Sequence, residues 1–170
     1  MTRFSVFIAT TLDGFIARPD GGLDFLSIVE REGEDYGYSK FFDSVDTLVI
    51  GRKTYETALS FPSWPYGGKR VVVMTTKKRV PKYDETFFSG TATDLAASLR
   101  DRKRVYVDGG SVIRQFLSEK ILTDVTLSIL PIMIGSGTRL FGDLTSDVNL
   151  TLVDSQAFPS GLVQLEYVPR

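Results

Sequence analysis

The 170-residue sequence contains neither cysteine nor histidine. The absence of cysteine excludes disulfide bonds, thiolate nucleophiles and cysteine metal sites. The absence of histidine excludes Ser-His-Asp hydrolysis, imidazole acid-base catalysis and most transition-metal sites. We therefore predict no metal ion, and any proton donor must be a carboxylic acid, a tyrosine, a lysine or water.

The sequence also lacks long apolar runs and an excess of charge of one sign. No segment approaches the roughly 18 consecutive apolar residues that a membrane span needs. The formal net charge of −1 gives no support for binding to nucleic acid or to a membrane surface. Residues 2–11 are short for the apolar core of a signal peptide and run into a charged turn, so we expect a cytoplasmic protein.

The order of the apolar segments predicts one α/β domain over residues 1–170. Buried strands are predicted at residues 3–11, 47–50, 70–76, 104–107 and 124–130, and helices at residues 33–43, 93–102 and 111–120. Two alternating segments, 149–156 and 162–168, are joined by a Phe-Pro-Ser-Gly turn, as in an antiparallel hairpin. We therefore expect one mixed, mostly parallel sheet with helices on both faces and an antiparallel C-terminal hairpin.

The stretch 45–57 predicts a strand that passes through Gly51 directly into a helix. Such a corner leaves backbone N–H groups unpaired at the helix start. Arg52 and Lys53 stand there although the helix dipole is already positive, which costs a few tenths to about 1 kcal/mol unless an anion offsets it. The corner therefore predicts an anion site, with simple solvent exposure of the two cations as the alternative.

A second strand, glycine and helix corner is predicted at Asp108, Gly109 and Gly110. Both corners would lie at the carboxyl edge of the sheet, where ligands bind in such folds, and together they could hold both ends of a diphosphate. The better-known phosphate loops are absent. Gly68 and Lys69 are followed by Arg70 instead of serine or threonine, and the GSGTRL segment from Gly135 lacks a third glycine.

Three strings resemble the dihydrofolate reductase fold: IATTLDGFIA from Ile8, GRKTYE from Gly51 and VYVDGGSVIRQFL from Val105. The phrase LPIMIGSGTRLF from Leu130 resembles more particularly the reductase domain of bacterial riboflavin biosynthesis, the RibD C-terminal domain, and its stand-alone relatives. The resemblance covers nearly the whole sequence, without a deaminase domain. It implies an NADPH-dependent reductase similar to 5-amino-6-(5-phosphoribosylamino)uracil reductase, which would transfer hydride to a pyrimidine- or pteridine-like small molecule.

The resemblance also implies where NADPH would bind. Ala9 would touch the nicotinamide, and the first corner would hold phosphates with Gly51, Arg52, Lys53 and Thr54. Thr75, Thr76 and Lys77 would lie beside the adenosine 2′-phosphate, and the diphosphate would be wrapped by Gly109, Gly110, Ser111, Val112 and Ile113. Cations at these strand ends suit a 2′-phosphate, whereas an NAD site usually offers a carboxylate. For residues 77–79, an ordinary charged turn is the alternative.

Three carboxylates are the candidate catalytic residues. Asp108 ends a buried strand beside the glycine pair, where riboflavin-type reductases often have an acid, although it could simply cap the next helix. Asp13 matches the acid of the opening LDG motif, with turn formation as the alternative. Asp24 lies in the region where dihydrofolate reductases place a substrate-binding acid, but GGLDFLS has no tryptophan, which argues against folate. Trp64 is expected to anchor its loop or to line a pocket wall.

Alternatives to this reductase prediction stay open. One is a dihydrofolate reductase proper, a second is a non-catalytic NADPH-binding relative, and a third is a structural α/β domain without a ligand. The C-terminal strands leave an edge that must be covered, and relatives of this group often pair, so we also predict a homodimer. The predicted partner is a small-molecule substrate, with no nucleic acid and no membrane.

Overall fold

A computed structural model describes residues 1–170. The strands are β1 (Arg3–Thr11), β2 (Phe15–Ala17), β3 (Thr47–Gly51), β4 (Arg70–Met74), β5 (Thr86–Phe88), β6 (Arg104–Asp108), β7 (Asp124–Leu130), β8 (Thr138–Arg139), β9 (Leu150–Ala157) and β10 (Val163–Pro169). The α-helices are α1 (Tyr38–Asp43), α2 (Arg52–Leu59), α3 (Ala92–Ser98) and α4 (Gly110–Ser118). A 3₁₀ helix spans Asp24–Val29. None of these helices has the length and apolar character that a membrane crossing requires.

Eight strands form one sheet in the order β5-β4-β3-β6-β1-β7-β10-β9. The first six are parallel to their neighbours, while β10 runs antiparallel to both β7 and β9. The short strands β2 and β8 form a separate antiparallel pair. The predicted fold class is therefore confirmed: the sheet is mixed and mostly parallel, and it ends in an antiparallel hairpin.

Helices cover both faces of the parallel part, because each crossover between parallel strands passes over one face. On one face, α3 and α4 bury side chains such as Leu95 and Phe116 against the sheet. On the other face, α1 and α2 bury Phe41 and Tyr55. The side chains in the middle of β3 are fully shielded from water on both faces of the sheet. Burial of each large apolar side chain stabilises the folded state by about 1.5–3 kcal/mol.

The edge strand β9 is the least protected part of the sheet. All eight of its residues are exposed. Leu152 is 52% exposed, and Leu150 is 39% exposed. These two leucines lie opposite Tyr167 and Pro169 of β10, so they share one face of the hairpin. An apolar strip therefore runs along the outer edge of the sheet.

The first helix is shorter than the sequence predicted. The prediction was a helix over residues 33–43, but α1 begins only at Tyr38. Gly37 has φ of 84°, a left-handed conformation that a helix interior does not contain. The carboxylate of Asp35 accepts hydrogen bonds from the N–H groups of Gly37 and Ser39 at 3.0 and 2.9 Å. These contacts fix a turn ahead of the helix instead of a further helical turn.

Two other local features also differ from the sequence prediction. The cap of α3 is Thr91, whose hydroxyl oxygen accepts the N–H of Asp94 at 3.0 Å, and not Thr93 or Asp94 itself. The 3₁₀ helix over Asp24–Val29 was not predicted.

Trp64 stacks on Tyr83 at 4.5 Å between ring centroids and packs edge-on against Tyr66. It therefore anchors its loop.

Candidate functional site

The two glycine corners meet in the structure. They end neighbouring strands, since Ile50 of β3 lies opposite Asp108 of β6. A methyl group built on Gly109 would lie 3.6 Å from the backbone nitrogen of Gly51. Both corners therefore open onto the same carboxyl edge of the sheet, as the sequence predicted.

A cleft of about 730 Å³ opens at this edge. Its walls come from β1, β2, β3, β4, β6, β8, α2 and α4, from the 3₁₀ helix and from the segment before it. Among the residues predicted from the sequence, those that line it are Ala9, Gly51, Arg52, Lys53, Thr54, Thr75, Thr76, Asp108, Gly109, Gly110, Ser111 and Val112. The structure thus brings together residues from four separate regions of the chain around one cavity.

Two predicted cofactor residues lie outside the cleft lining. Ile113 is 1% exposed and belongs to the core beneath α4. Lys77 is exposed, and its N–H donates to the hydroxyl of Thr75 at 3.1 Å. Their predicted contact with a cofactor therefore stays a prediction, and Lys77 could reach the cleft only from its rim.

Asp13 and Asp24 also lie outside the cleft lining. The carboxylate of Asp13 accepts hydrogen bonds from the Thr11 hydroxyl at 2.6 Å and from the N–H of Gly135 at 2.8 Å, and these bonds lower its pKa. It thereby ties the turn after β1 to the loop after β7. Asp24 forms an ion pair with Arg18 at 2.6 Å, which lowers the pKa of Asp24.

Other residues of the cleft wall were not found by sequence reasoning. They are Phe7, Ile8, Ile16, Ala17, Gly21, Leu23, Leu26, Thr57, Met74, Tyr106, Arg114, Gln115 and Thr138. Phe7 and Tyr106 could have been found, because they lie two residues before Ala9 and Asp108 and therefore point to the same face of their strands. Leu23 and Leu26 could not, because tertiary packing alone brings their segment to the sheet.

Asp108 is the only carboxylic acid in the cleft lining. One of its oxygens accepts the N–H of Gly109 at 2.9 Å. Burial raises the pKa of Asp108 to about 6, against the opposing effect of the hydrogen bond from the N–H of Gly109. Burial also raises the pKa of the nearby Tyr38 and Tyr66 hydroxyls, and the negative charge of Asp108 adds to this effect. The Asp108 carboxyl is thus poised to give or take a proton near neutral pH.

The cations at the first corner are partly balanced by one carboxylate. Arg52 and Arg79 approach the same oxygen of Glu56 at 3.4 and 2.7 Å. These pairs lie near the surface, so each contributes at most about 1 kcal/mol to stability. An incoming phosphate carries more charge than a single carboxylate and could replace Glu56 as the partner of Arg52, which lines the cleft.

A buried acid fixes the position of α2. Glu85 is 2% exposed, and its carboxylate accepts hydrogen bonds from the Tyr55 hydroxyl at 2.5 Å and from the N–H groups of Lys82 and Tyr83 at 2.7 and 2.8 Å. Burial raises the pKa of Glu85, but the three hydrogen bonds outweigh that effect and the net pKa is lowered. Helix α2 is thereby attached to the loop that precedes β5.

Substitution of Gly109 tests how tightly the two corners fit. Gly109 has φ of 102°, and a methyl group there would lie 2.7 Å from the hydroxyl oxygen of Thr54. We expect Gly109→Ala to lower the free energy of unfolding by about 1–3 kcal/mol. Alanine would be strained in this backbone conformation, and its methyl group would lie too close to Thr54. Urea denaturation measures the change. Gly67→Ala is the control, since that position has open space, and equal stability of the two variants would contradict the prediction.

The chain matches a known protein family. The family model of the RibD C-terminal domain matches residues 4–164. The chain belongs to the RibD C-terminal domain family. The match includes both glycine corners, the whole parallel sheet and the start of the C-terminal hairpin.

Solved structures agree with this assignment. A protein of Shewanella sp. PV-4, named for riboflavin biosynthesis, is 35% identical and superposes with a TM-score of 0.92 over 99% of both chains. The diaminohydroxyphosphoribosylaminopyrimidine deaminase/5-amino-6-(5-phosphoribosylamino)uracil reductase of Thermotoga maritima gives a TM-score of 0.74 at 15% identity, over 99% of this chain and 57% of that one. Dihydrofolate reductase of Enterococcus faecalis, complexed with NADP(H), gives 0.67 at 15% identity, over 99% and 96%. The last two likenesses show that the fold is shared.

Proposed function

We propose that the protein is an NADPH-dependent reductase that resembles 5-amino-6-(5-phosphoribosylamino)uracil reductase and transfers hydride to a pyrimidine- or pteridine-like small molecule. The observation that carries this proposal is the meeting of two glycine corners in one cleft, whose lining includes cations and a single carboxylic acid. Membership of a reductase-like family supports it.

The residues at the corners suit a dinucleotide phosphate. Helices α2 and α4 both begin at the cleft, so the unpaired N–H groups of two helix ends face it. The absence of a side chain at Gly109 lets the two corners approach closely, because a methyl group there would lie 2.7 Å from the hydroxyl oxygen of Thr54. Arg52 and Lys53 supply positive charge, and the hydroxyls of Thr75 and Thr76 supply hydrogen bonds beside it. A diphosphate and a 2′-phosphate would find donors at this edge.

The chemistry then needs one proton from the protein. When bound, NADPH supplies a hydride that reduces a C=N or C=O bond of the acceptor, and the cofactor leaves as NADP⁺. Asp108 supplies the proton that the acceptor's heteroatom takes up, and it regains a proton from water. Ala9 and Tyr106 also line the cleft. Ala9 would touch the nicotinamide and Tyr106 the acceptor, so that the two reacting groups are held together.

Dihydrofolate reduction fits the site less well. Asp24, in the region where that enzyme class places its substrate acid, is paired with Arg18 and lies outside the cleft lining. In a non-catalytic NADPH-binding protein, binding alone would not require an acid with a raised pKa in the lining of the cleft. Turnover of dihydrofolate would favour the first alternative, and binding of NADPH without turnover of any pteridine or pyrimidine would favour the second.

Cofactor selection tests the role of the first corner. We expect the wild-type protein to bind NADPH at least about tenfold more tightly than NADH, because a charged hydrogen bond to the 2′-phosphate is worth about 1.5–3 kcal/mol. Arg52→Ala should remove most of this difference by weakening NADPH binding alone. Thermal shift and calorimetry with both cofactors measure the effect.

The control for this experiment is Arg100→Ala, which removes an exposed arginine outside the cleft lining. It should leave both affinities unchanged. Equal affinities of the wild-type protein for NADPH and NADH would defeat the 2′-phosphate assignment. If neither cofactor bound, the proposed function as a whole would fall.

We also propose that the protein forms a homodimer through the edge of β9 and β10. Leu150 and Leu152 are exposed on one face of this hairpin, opposite Tyr167 and Pro169. An apolar strip on an unpaired edge strand favours association with an identical strip around a two-fold axis. The expected outcome of light scattering at micromolar concentration is the mass of a dimer.

Leu152→Asp should shift that mass toward the monomer, because it places a charge in the apolar strip. Gln156→Asp is the matched control on the same strand and should leave the dimer intact. A monomeric wild-type protein would refute the dimer and leave the cofactor proposal untouched.

A further inference from the structure

The carboxylate of Glu56 lies between two arginines that come from different parts of the chain. Arg52 begins α2 and stands about one helical turn before Glu56, while Arg79 belongs to the loop between β4 and β5. The guanidinium groups of both approach the same oxygen of Glu56, at 3.4 Å from Arg52 and at 2.7 Å from Arg79. One carboxylate oxygen therefore joins the start of α2 to this loop.

The two contacts of Glu56 differ in strength. A separation of 2.7 Å is typical of a charge-assisted hydrogen bond between a guanidinium and a carboxylate. A separation of 3.4 Å is longer than the usual hydrogen bond, and an exposed pair four residues apart on a helix is weak. The hydrogen bond from Arg79 and the charge of Arg52 together hold the pKa of Glu56 below its usual range. Arg79 is thus the main partner of an ionised Glu56.

Arg79 is held in its position by the residues around it. Its side chain is 29% exposed, and its guanidinium lies over the ring of Tyr55 at 6.0 Å from the centroid. The Tyr55 hydroxyl donates to the buried carboxylate of Glu85 at 2.5 Å, and that carboxylate also accepts the N–H of Lys82 in the same loop at 2.7 Å. The loop that carries Arg79 is therefore attached to α2 through both Glu56 and Tyr55.

Arg52, by contrast, belongs to the cleft. It lines the cavity together with Thr75 and Thr76, whereas Glu56 and Arg79 lie outside the lining. The Arg52 side chain is 42% exposed, so it can turn from Glu56 toward a ligand with little loss of packing. An anion bound beside Thr76 would compete with Glu56 for this guanidinium. The result of that competition depends on how firmly Arg79 retains the carboxylate.

Loss of Arg79 would change that competition in two ways. The ionised Glu56 carboxylate would be left with Arg52 as its ion-pair partner, and opposite charges four residues apart on a helix are neighbours that attract each other. The carboxylate would also repel an incoming phosphate more strongly, because its charge would no longer be balanced by Arg79. Arg79 suppresses both effects although it lies outside the cleft lining.

We propose that Arg79 is a positioning residue for cofactor selection, which retains the Glu56 carboxylate and so leaves Arg52 free to bind the 2′-phosphate of NADPH. This inference rests on the proposed function and extends it to a residue outside the cleft. With NADH, which has no 2′-phosphate, Arg52 keeps its weak contact with Glu56. The pairing of Arg79 with Glu56 therefore contributes to the preference for NADPH.

Calorimetric titration of full-length variants with NADPH and with NADH tests this role. Arg79→Ala is expected to weaken NADPH binding about three- to fivefold, the upper range for an exposed ion pair, and to leave NADH binding unchanged. Glu56→Gln should strengthen NADPH binding about two- to threefold, because the neutral amide does not compete for Arg52. Lys78→Ala removes an exposed cation from the same loop. It is the matched control and should change neither affinity.

The double variant, Arg79→Ala with Glu56→Gln, separates positioning from direct contact. If Arg79 acts through Glu56, the NADPH affinity of the double variant should return at least to the wild-type value. If Arg79 touches the phosphate or only holds its loop in place, the double variant should bind NADPH as weakly as Arg79→Ala, and the inference is overturned. An unchanged NADPH affinity of Arg79→Ala, or weaker NADPH binding by Glu56→Gln, also overturns it.

These outcomes are distinct from failure of the proposed function, because the wild-type protein is titrated first. If it binds neither cofactor, the reductase proposal is refuted and this inference falls with it. If it prefers NADPH and the variants depart from the expected pattern, only the role of Arg79 is refuted.

Discussion

Asp108→Asn is expected to lower the turnover of NADPH with the acceptor by about 10²–10⁴-fold, the usual contribution of a positioned general acid. The amide keeps the size of the carboxyl and can still accept the N–H of Gly109. It cannot release a proton at neutral pH, so the acceptor's heteroatom would have to take its proton from water. NADPH affinity should change little, since the amide can keep the bond to the Gly109 N–H and so preserve the second corner. Steady-state NADPH oxidation and cofactor titration measure the two effects.

The pH profile separates this role from a structural one. Burial raises the pKa of Asp108 to about 6 from an ordinary value of 3.8. The protonated fraction, and with it the wild-type rate, should fall about tenfold per pH unit above pH 6. The folded state binds the Asp108 proton more tightly than the unfolded state, so the contribution of Asp108 to stability should fall as the pH rises from about 4 to about 6 and then stay level. Both dependences should disappear in Asp108→Asn.

Asp43→Asn, on the exposed end of α1, is the control and should keep the wild-type rate and pH profile. A turnover rate of Asp108→Asn within threefold of wild type would assign the proton to water and leave Asp108 as a residue that binds the acceptor.

Asp124→Ala is expected to lower the free energy of unfolding by about 3–5 kcal/mol, the scale for removing one partner of a buried ion pair. The Asp124 side chain is 4% exposed and lies 3.1 Å from Arg3 and 3.0 Å from Arg104. It also accepts hydrogen bonds from the hydroxyls of Ser5 and Thr123 at 3.0 and 2.9 Å. The truncation would leave the Arg104 guanidinium, which is 19% exposed, without its carboxylate.

The matched control is Asp101→Ala. Asp101 pairs with Arg102 at 3.1 Å but is 67% exposed, so its loss should cost less than about 1 kcal/mol. Urea denaturation of both variants gives the comparison. Asp124 begins β7, at the end of the strands away from the cleft, so the folded variant should bind NADPH normally. If Asp124→Ala lost no more unfolding free energy than Asp101→Ala, the prediction would be wrong, and Arg3 and Arg104 would have found other partners.

The sequence predicted the parts of the site that depend on neighbouring residues. A strand, a glycine and a helix follow one another within about ten residues at Gly51 and again at Gly109, so local patterns identify both corners. The sequence also predicted that the two corners lie at the same edge of the sheet, because each follows the carboxyl end of a parallel strand, where ligands bind in such folds. The resemblance in GRKTYE and VYVDGG then placed the cofactor residues on these corners.

Features that depend on distant partners were beyond the sequence. Asp124 is buried because Arg3, 121 residues away, reaches it, and no local pattern records such a pair. Glu85 lies in a charged, proline-containing stretch that is typical of a surface loop, yet the Tyr55 hydroxyl holds it inside. Leu23 and Leu26 belong to a segment without strand periodicity, and only its packing against β1 makes it a wall of the cleft.

The two walls of the cleft differ in how firmly they are held to the rest of the fold, because Glu85 attaches one of them through Tyr55. The wall formed by α2 is fastened to the sheet through a buried carboxylate, whereas the facing segment around Leu23 is held at its surface by the pair of Arg18 and Asp24. Sequence change can therefore accumulate in residues 18–24 with little effect on α2, whereas Phe25, which is 2% exposed, belongs to the core. A family built on this plan can vary what its cleft admits by exchanging one short surface segment while both glycine corners are inherited intact.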